Sequence, residues 1–343
     1  MSRRFRVKSY RMILGSIGLA SAVLLTGCTS TTPEGSADQS GATTAKLATL
    51  DPEPIATAPV SNLPVTVRSF DGTDVTITDT SRIVAADRYG TLAQTVYALG
   101  LGDRLVGRST AAAFPAVEDV PNVTPAGNSL ATEAILALRP TVFLSDTTIG
   151  PDAVRDQLRA AGVPVVLFDP TRTLDGVSPQ IEAVAAALGV PEQGRALAER
   201  SSKEIADATK DVAAPNPPLK IAFLYLRSTA LTMLAGQGSG ADSLIEALGA
   251  VDAGTASGIT QAFVPVTSEA LIAAAPDVFL LMTDGLESIG GPDGLEKIPG
   301  VAQTPAGRNK RVVDMQDSVL LSFGPNTGHV VAALADAIYP PKS

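Results

Sequence analysis

Two stretches of the chain repeat one helix–proline–strand pattern. In each, a glutamate lies seven residues before a proline and a phenylalanine lies three residues after it, as in Glu133, Pro140 and Phe143 and again in Glu269, Pro276 and Phe279. Each proline ends the helical pattern, and the apolar run behind it is typical of a buried strand. Helices that alternate with such strands indicate a mainly parallel sheet. The repeat favours two similar α/β lobes over the chance recurrence of a common pattern.

A polar run between the two halves, from about Pro191 to Val212, predicts one long helix. Pro191 suits the first helical position, and the prolines from Pro215 onward forbid continuation. Leu197 and Ile205 belong to a narrow apolar stripe, while pairs of opposite charge at i, i+4 cover the other faces. About 20 residues at about 1.5 Å each give a rod of about 30 Å. We interpret it as the single connection between the lobes, which predicts small lobe movements around a preformed groove; an ordinary surface helix is the alternative.

Shorter signals set the bounds of the lobes. Apolar residues alternate around Asp71-Gly72, which is typical of a hairpin, and helical patterns end at Gly100 and Gly249. The predicted organisation is an N-terminal lobe over 61–172, a connecting helical region over 173–218 and a C-terminal lobe over 219–343.

The first 27 residues have the pattern of an export signal. Basic residues up to Arg11 precede an apolar run from Met12 to Leu25, which at about 14 residues is short for a membrane span. The run ends in Leu25-Thr26-Gly27-Cys28, which resembles the lipobox of bacterial lipoproteins. That resemblance implies cleavage before Cys28 and a diacylglycerol on its sulfur; a plain signal with a chance cysteine is the alternative.

The segment that follows predicts a tether. Residues 28–60 are rich in Ser, Thr, Ala, Gly and Pro and contain few large apolar side chains, so we expect them to stay flexible. The lipid would then hold the folded body at the outer face of the cytoplasmic membrane of a bacterium.

Composition excludes several functions. Cys28 is the only cysteine and His329 the only histidine, so neither an internal disulfide nor a cysteine-based metal cluster can form. Without the five basic residues of the leader, 21 basic residues remain against 35 acidic ones, which argues against a nucleic-acid partner. The chain carries no nucleophile elbow and no phosphate loop, and its glycine-rich stretch at 236–240 lacks dinucleotide spacing. We therefore expect a binding protein rather than an enzyme, with no catalytic cofactor.

Two stretches of the sequence resemble a known family. The runs Tyr97-Ala-Leu-Gly-Leu-Gly-Asp-Arg-Leu-Val-Gly107 and Glu133-Ala-Ile-Leu-Ala-Leu-Arg-Pro140 resemble the class III substrate-binding proteins of ABC importers for siderophores, cobalamin and haem. The likeness covers about Arg82 to Tyr339. It implies two α/β lobes joined by one long helix, a ligand in the groove between them, and a permease and its ATPase as partners.

Three shorter stretches narrow the resemblance. Residues 145–151, 236–246 and 321–325 are similar to the haem-binding lipoproteins of Gram-positive actinobacteria. This likeness implies haem (hemin) as the transported ligand and surface proteins that relay it. A ferric siderophore or cobalamin carrier of the same class, and a cell-surface structural or adhesion lipoprotein, are the alternatives.

The resemblance also implies docking residues. Family members carry one glutamate on each lobe that enters arginine pockets of the permease, and the matching positions are Glu133 and Glu246. One exposed carboxylate per lobe would let a two-fold permease contact both lobes, with charge complementarity setting the register.

The residues that bind the haem iron in the family are not matched in this sequence. Its Tyr or His before the first docking helix falls at 126–128, and its second Tyr falls near Met233. Ferric haem favours phenolate or imidazole, and a thioether is a softer ligand. Either the iron is ligated differently here, or the ligand is not haem.

Seven residues are candidates for ligand contact. They follow predicted strand ends, where open α/β sheets bind ligands, or lie in loops that face the groove in the family. The set is Arg88, Tyr89, Asn128, Tyr225, Arg227, Met233 and His329. His329, Tyr89 and Met233 are the candidate axial ligands, and no other metal site is predicted.

Overall fold

The computed structural model describes residues 41–340. The predicted signal peptide and Cys28 lie outside this range. Within residues 41–340, no helix combines the length and the apolar character needed to cross a membrane.

The chain alternates strands and helices. The strands are β1 (Ala42–Ala45), β2 (Val65–Arg68), β3 (Asp74–Ile77), β4 (Ile83–Ala86), β5 (Leu105–Arg108), β6 (Val142–Ser145), β7 (Val165–Leu167), β8 (Lys220–Arg227), β9 (Leu231–Ala235), β10 (Val251–Asp252), β11 (Phe263–Pro265), β12 (Val278–Met282) and β13 (Val312–Met315). The helices are α1 (Thr91–Val96), α2 (Thr132–Ala137), α3 (Asp152–Ala160), α4 (Val177–Ala187), α5 (Pro191–Lys210), α6 (Ala241–Ala247), α7 (Ala253–Ala256), α8 (Ser268–Ala274), α9 (Thr283–Glu287), α10 (Pro292–Leu295), α11 (Pro305–Arg308), α12 (Asp317–Leu320) and α13 (Thr327–Ile338).

The N-terminal lobe is built on a four-stranded parallel sheet in the order β5-β4-β6-β7. Successive side chains of a strand point to opposite faces, and both faces of β4 are covered. Ile83 and Ala85 pack into a core with α1 and α4, whereas Val84 and Ala86 pack into a core with α2 and α3. The predicted hairpin around Asp71-Gly72 forms as β2 and β3.

The C-terminal lobe repeats this arrangement within a larger sheet. Its strands run in the order β1-β13-β12-β8-β9-β11, with β10 also pairing with β8. The path β10-β8-β12-β13 is parallel and matches β5-β4-β6-β7 strand for strand. The unit α8-β12 therefore occupies the place of α2-β6, and the prediction of two similar α/β lobes is confirmed. The antiparallel strands β9 and β11 are additions that the repeat did not indicate.

The connecting helix α5 begins at Pro191, as predicted, and ends at Lys210. Its buried stripe contains Leu197 and Ser201, and it packs between α4 and α13. The proposed connecting region over 173–218 is too wide, because α4 packs against α1 and β2 and so belongs to the N-terminal lobe. Of the two long helices in this region, α5 alone lies between the lobes.

The prediction of a flexible tether to residue 60 is wrong for the described part of that segment. Residues 41–62, here called the strap, begin as β1 on the edge of the C-terminal sheet and then cross to the N-terminal lobe. The Leu50 carbonyl accepts a hydrogen bond from Asn326, and the Ile55 amide donates to the Ala98 carbonyl at 2.7 Å. Hydrogen bonds of the backbone order the strap. Its small polar side chains therefore did not indicate that the segment would be ordered. The chain therefore crosses between the lobes twice.

Gly100 joins the end of the first helix to the strap. α1 continues into a π-helical turn, Tyr97–Leu101, and the φ of 84° at Gly100 lies in the left-handed region, which interrupts the helical geometry at the predicted position. A Cβ here would also collide with the backbone carbonyl of Ala56 in the strap. The position therefore requires glycine for two independent reasons.

Candidate functional site

A cavity of about 460 Å³ lies between the two lobes. The carboxyl ends of β4 and β8 both reach it, as expected for ligands of open parallel sheets. Six of the seven candidate residues line it: Arg88, Tyr89, Asn128, Tyr225, Arg227 and Met233. Its size falls within the range of small-molecule sites, about 300–1,000 Å³.

The N-terminal wall is organised by Asp87, the first residue after β4. Its carboxylate accepts hydrogen bonds from the amides of Tyr89 and Thr91 at 2.9 and 3.1 Å, so it fixes the loop and the start of α1. Arg88 turns outward and donates to the Thr148 carbonyl at 2.9 and 3.2 Å. Among the described residues Arg88 forms no ion pair, so its charge remains available to an anionic ligand.

A buried charge cluster supports the N-terminal wall of the cavity. Arg172 contacts Asp146 at 2.8 Å and Asp87 at 3.7 Å, and all three side chains are at most 2% exposed. Burial raises the pKa of Asp146, and the neighbouring Asp87 charge raises it further. Arg172 also stacks over the Tyr89 ring at 5.0 Å. Burial likewise raises the pKa of Tyr89. The cluster therefore holds the phenol ring at the cavity wall.

The C-terminal wall presents Tyr225 and Met233 side by side. They are paired across the antiparallel strands β8 and β9, so their side chains share one face of the sheet. Phe263 meets the Tyr225 ring edge-on at 6.2 Å, and the Arg227 guanidinium lies over it at 4.6 Å. Arg227 in turn pairs with Asp317 at 2.7 Å. Tyr225 is thus held by contacts on several sides.

The prediction that His329 contacts the ligand is not supported by its placement. His329 does not line the cavity, its side chain is 57% exposed, and its Nε2 lies 3.9 Å from Glu204 of α5. The first turn of α13 packs against α5 so closely that a Cβ at Gly328 would meet the backbone of Glu204. This packing directs the histidine to the outer side of the connecting helix and removes it from the candidate axial ligands.

Two hydroxyl groups in the cavity wall were missed by the sequence reasoning. Ser109 and Ser318 come from opposite lobes and are at most 3% exposed. Within residues 41–340 neither hydroxyl has a hydrogen-bond partner, so both remain free to bind a polar ligand group. Single serines form no sequence pattern, and only their burial at the cavity identifies them.

The candidate docking glutamates do not occupy equivalent positions. Glu133 is the second residue of α2, and its topological counterpart is Glu269, the second residue of α8. Both are exposed. Glu246 instead lies near the end of α6, in a groove of about 770 Å³ that Thr209 and Lys210 of α5 also line. The repeated glutamate pattern identified the structurally equivalent pair. The assignment of Glu246 as the partner of Glu133 joined two residues that are not structurally equivalent.

The described part of the chain holds no group of three or more His, Cys, Asp or Glu side chains that could bind a metal ion.

Comparisons with known proteins agree with this geometry. The family model described as periplasmic binding protein matches residues 86–319. The solved structure of the heme binding protein HmuT superposes with a TM-score of 0.86 at 40% identity, covering 89% of this chain and 100% of that one. Solved variants of HmuT replace a histidine, an arginine or a tyrosine by alanine, and that arginine lies two residues after that tyrosine.

Two curated relatives add to this comparison. The uncharacterized ABC transporter substrate-binding lipoprotein YvrC of Bacillus subtilis is 27% identical over 285 residues, 81% of this chain and 86% of that protein. A vitamin B12-binding protein of Yersinia pestis is 31% identical over only 109 residues, 32% of this chain and 39% of that protein.

Replacing Arg172 by methionine should destabilise the fold in a pH-dependent way. The change leaves two buried carboxylates without their cation, which costs about 3–5 kcal/mol at neutral pH. The pKa of Asp146 already lies above its usual 3.8, and the substitution raises it further. The folded variant then binds a proton that the unfolded chain does not, so its stability rises as the pH falls toward 5.

Urea unfolding of both proteins at pH 8 and pH 5 measures this difference. The loss of stability in R172M should be largest at pH 8 and smaller at pH 5. A loss that stays constant with pH would contradict the assignment of the cluster.

Proposed function

Because the chain belongs to the periplasmic binding protein family, we propose that it is the extracytoplasmic substrate-binding protein of an ABC importer and that it carries haem in the cavity between its lobes. One observation carries the choice of haem: Tyr225 and Arg227 are two residues apart on β8 and both line the cavity. HmuT, a heme binding protein at 40% identity, has been solved with a tyrosine and an arginine of the same spacing replaced.

Tyr225 is the proposed iron ligand of the C-terminal lobe. Ferric haem favours a phenolate oxygen over a thioether, and Met233 lies beside Tyr225 on the same face of the sheet. Two side chains on one face cannot bind opposite sides of an iron atom, so Met233 acts as an apolar contact to the porphyrin plane. Tyr89 is the phenol that the N-terminal wall brings to the same cavity.

Polar groups of the cavity suit the carboxylates of haem. Of the two arginines that line the cavity, Arg88 is the one without an ion pair to a described residue, and the unpaired hydroxyls of Ser109 and Ser318 add hydrogen-bond donors. Phe263 and Leu321 supply apolar surface for the macrocycle. A corrinoid, the alternative ligand, has support from vitamin B12-binding relatives that match about a third of the chain.

Replacing Tyr225 by phenylalanine should abolish the bond to the haem iron without disrupting the fold. The variant keeps the ring that packs on Phe263 but loses the oxygen, so hemin affinity should fall at least tenfold, which corresponds to about 1.4 kcal/mol. Titration of the chain without its leader, followed by the Soret absorption, measures this. Met233→Leu is the matched control and should leave the spectrum unchanged.

The same titration decides among the ligands. A wild-type protein that gives no Soret change at micromolar concentration does not bind haem. Cyanocobalamin and a ferric siderophore titrated in parallel would then identify the alternative cargo, and an absence of binding to all three would favour a structural lipoprotein.

Docking to the permease is proposed for Glu133 and Glu269. Both lie at the start of exposed helices that precede equivalent strands, so the two-fold related surfaces of a permease can contact both in the same way. Glu246 lies beside the connecting helix and is not part of this pair.

Charge reversal tests this assignment. Glu133→Lys combined with Glu269→Lys should lower haem uptake by cells at least tenfold, because like charges at a complementary interface cost several kcal/mol. Hemin affinity of the purified variant should not change. Glu246→Lys is the control. A loss of uptake in this control but not in the Glu269→Lys variant would restore Glu246 as the docking residue.

Anchoring through a lipid on Cys28 is proposed from the leader pattern, and the relative YvrC is named a lipoprotein. Buried acyl chains contribute about 0.8 kcal/mol per CH₂ group. Cys28→Ser should therefore move the protein from the membrane fraction to the soluble fraction on immunoblots and abolish labelling by a fatty-acid analogue. Thr29→Ala is the control, and a Cys28→Ser protein that stays with the membrane would contradict the anchor.

A further inference from the structure

We infer that Asp317 is a positioning residue that commits Arg227 to the tyrosine beneath it and withholds it from the carboxylates of the ligand. The inference rests on the proposed function, since it assigns roles within the haem cavity. The two arginines that line the cavity then have different roles. Arg227 stabilises the tyrosine that binds the iron, and Arg88 binds the carboxylates of the haem.

The geometry fixes Arg227 from several directions. Its Nη2 donates to Asp317 Oδ2 at 2.7 Å and its Nη1 donates to the Leu226 carbonyl at 2.8 Å. The guanidinium carbon then lies 4.6 Å from the centre of the Tyr225 ring. The second oxygen of Asp317 accepts from the Asp284 amide at 3.0 Å. Both carboxylate oxygens are therefore occupied, and the arginine cannot rotate without breaking these bonds.

Electrostatics oppose the transfer of Arg227 to a ligand carboxylate. The Asp317 side chain is 18% exposed, and the carboxylate of Asp284 lines the same cavity. Departure of Arg227 would leave Asp317 as an uncompensated, mostly buried charge next to another acid, which is strongly unfavourable. Arg88 gives up only hydrogen bonds to a backbone carbonyl. Ligand carboxylates are therefore bound at lower cost by Arg88.

A cation over the tyrosine favours the negatively charged phenolate that ferric iron binds. The guanidinium lies close enough to the ring to attract the negative charge of an iron-bound phenolate. The benefit requires a fixed guanidinium, and Asp317 provides this. Asp317 is itself held by the opposite lobe, because the next carbonyl along α12, that of Ser318, accepts a hydrogen bond from buried Gln94 of α1 at 2.8 Å.

Hemin and iron-free protoporphyrin IX separate the two roles. Both carry the same carboxylates, but only hemin has an iron atom to bind Tyr225. Asp317→Ala should lower hemin affinity about tenfold and change the absorption bands of the tyrosinate-bound ferric haem. Its affinity for protoporphyrin IX, followed by fluorescence, should stay within twofold or rise, because the released arginine can pair with a carboxylate. Asp317→Asn, which keeps an acceptor without the charge, should fall between.

Asp284→Ala is the matched control. It removes the same charge from the same cavity, and within residues 41–340 its carboxylate forms no ion pair with an arginine, so any change in affinity should be equal for hemin and protoporphyrin IX. Equal losses for hemin and protoporphyrin IX in Asp317→Ala, or identical effects of Asp317→Ala and Asp284→Ala, would overturn the inference.

The outcomes keep the two proposals apart. A wild-type chain that does not bind hemin refutes the proposed function and the inference with it. A wild-type chain that binds hemin, with an Asp317→Ala variant of unchanged spectrum and affinity, refutes the inference alone. Should Asp317→Ala fail to fold by circular dichroism, the Asp317→Asn variant gives the same comparison.

Discussion

A continuous apolar core across both lobes is the constraint on which the rest of the structure depends. Side chains of β4, α1 and α4 in one lobe, of α5 between, and of α13 and β13 in the other belong to a single buried cluster. Close-packed interiors resist deformation, so the lobes cannot separate without exposing this surface. The strap adds a second covalent crossing, and Gln94 of α1 donates across the interface to α12. The core, α5 and the strap thus connect the lobes at several places, and small lobe movements around a preformed cavity stay a prediction.

Charge placement in the cavity follows from burial. Arg172 is almost fully buried and compensates two acids, so it shapes the wall without meeting the ligand. Arg227 is partly committed to Asp317, and Arg88 has no carboxylate partner among the described residues. Three arginines near one cavity therefore have three different roles. A count of basic residues near a predicted groove would have treated them as equivalent, because sequence does not show which acid lies beside which arginine.

The candidate site shows where sequence reasoning succeeds and where it fails. Arg88, Tyr89, Tyr225 and Arg227 were found because residues at the carboxyl ends of parallel strands meet at one edge of a sheet. Met233 was taken as the counterpart of a family tyrosine, whereas the structure pairs it with Tyr225 across the hairpin. The added antiparallel strand was not anticipated, so the sequence did not show that Met233 lies beside Tyr225 in the cavity wall. The placement of His329 outside the cavity was not anticipated, because the packing of α13 against α5 sets its direction and adjacent residues do not indicate that contact.

The sequence by itself determined the class of fold, the repeat of the two lobes, the start of the connecting helix and most of the strand ends that meet at the cavity. These features depend on periodicity, proline and glycine, which act locally. Only the tertiary structure decided the strap, the direction of His329 and the pairing of Asp317 with Arg227. Each of these depends on a backbone edge or a charge contributed by a distant part of the chain, for which adjacent residues carry no signal.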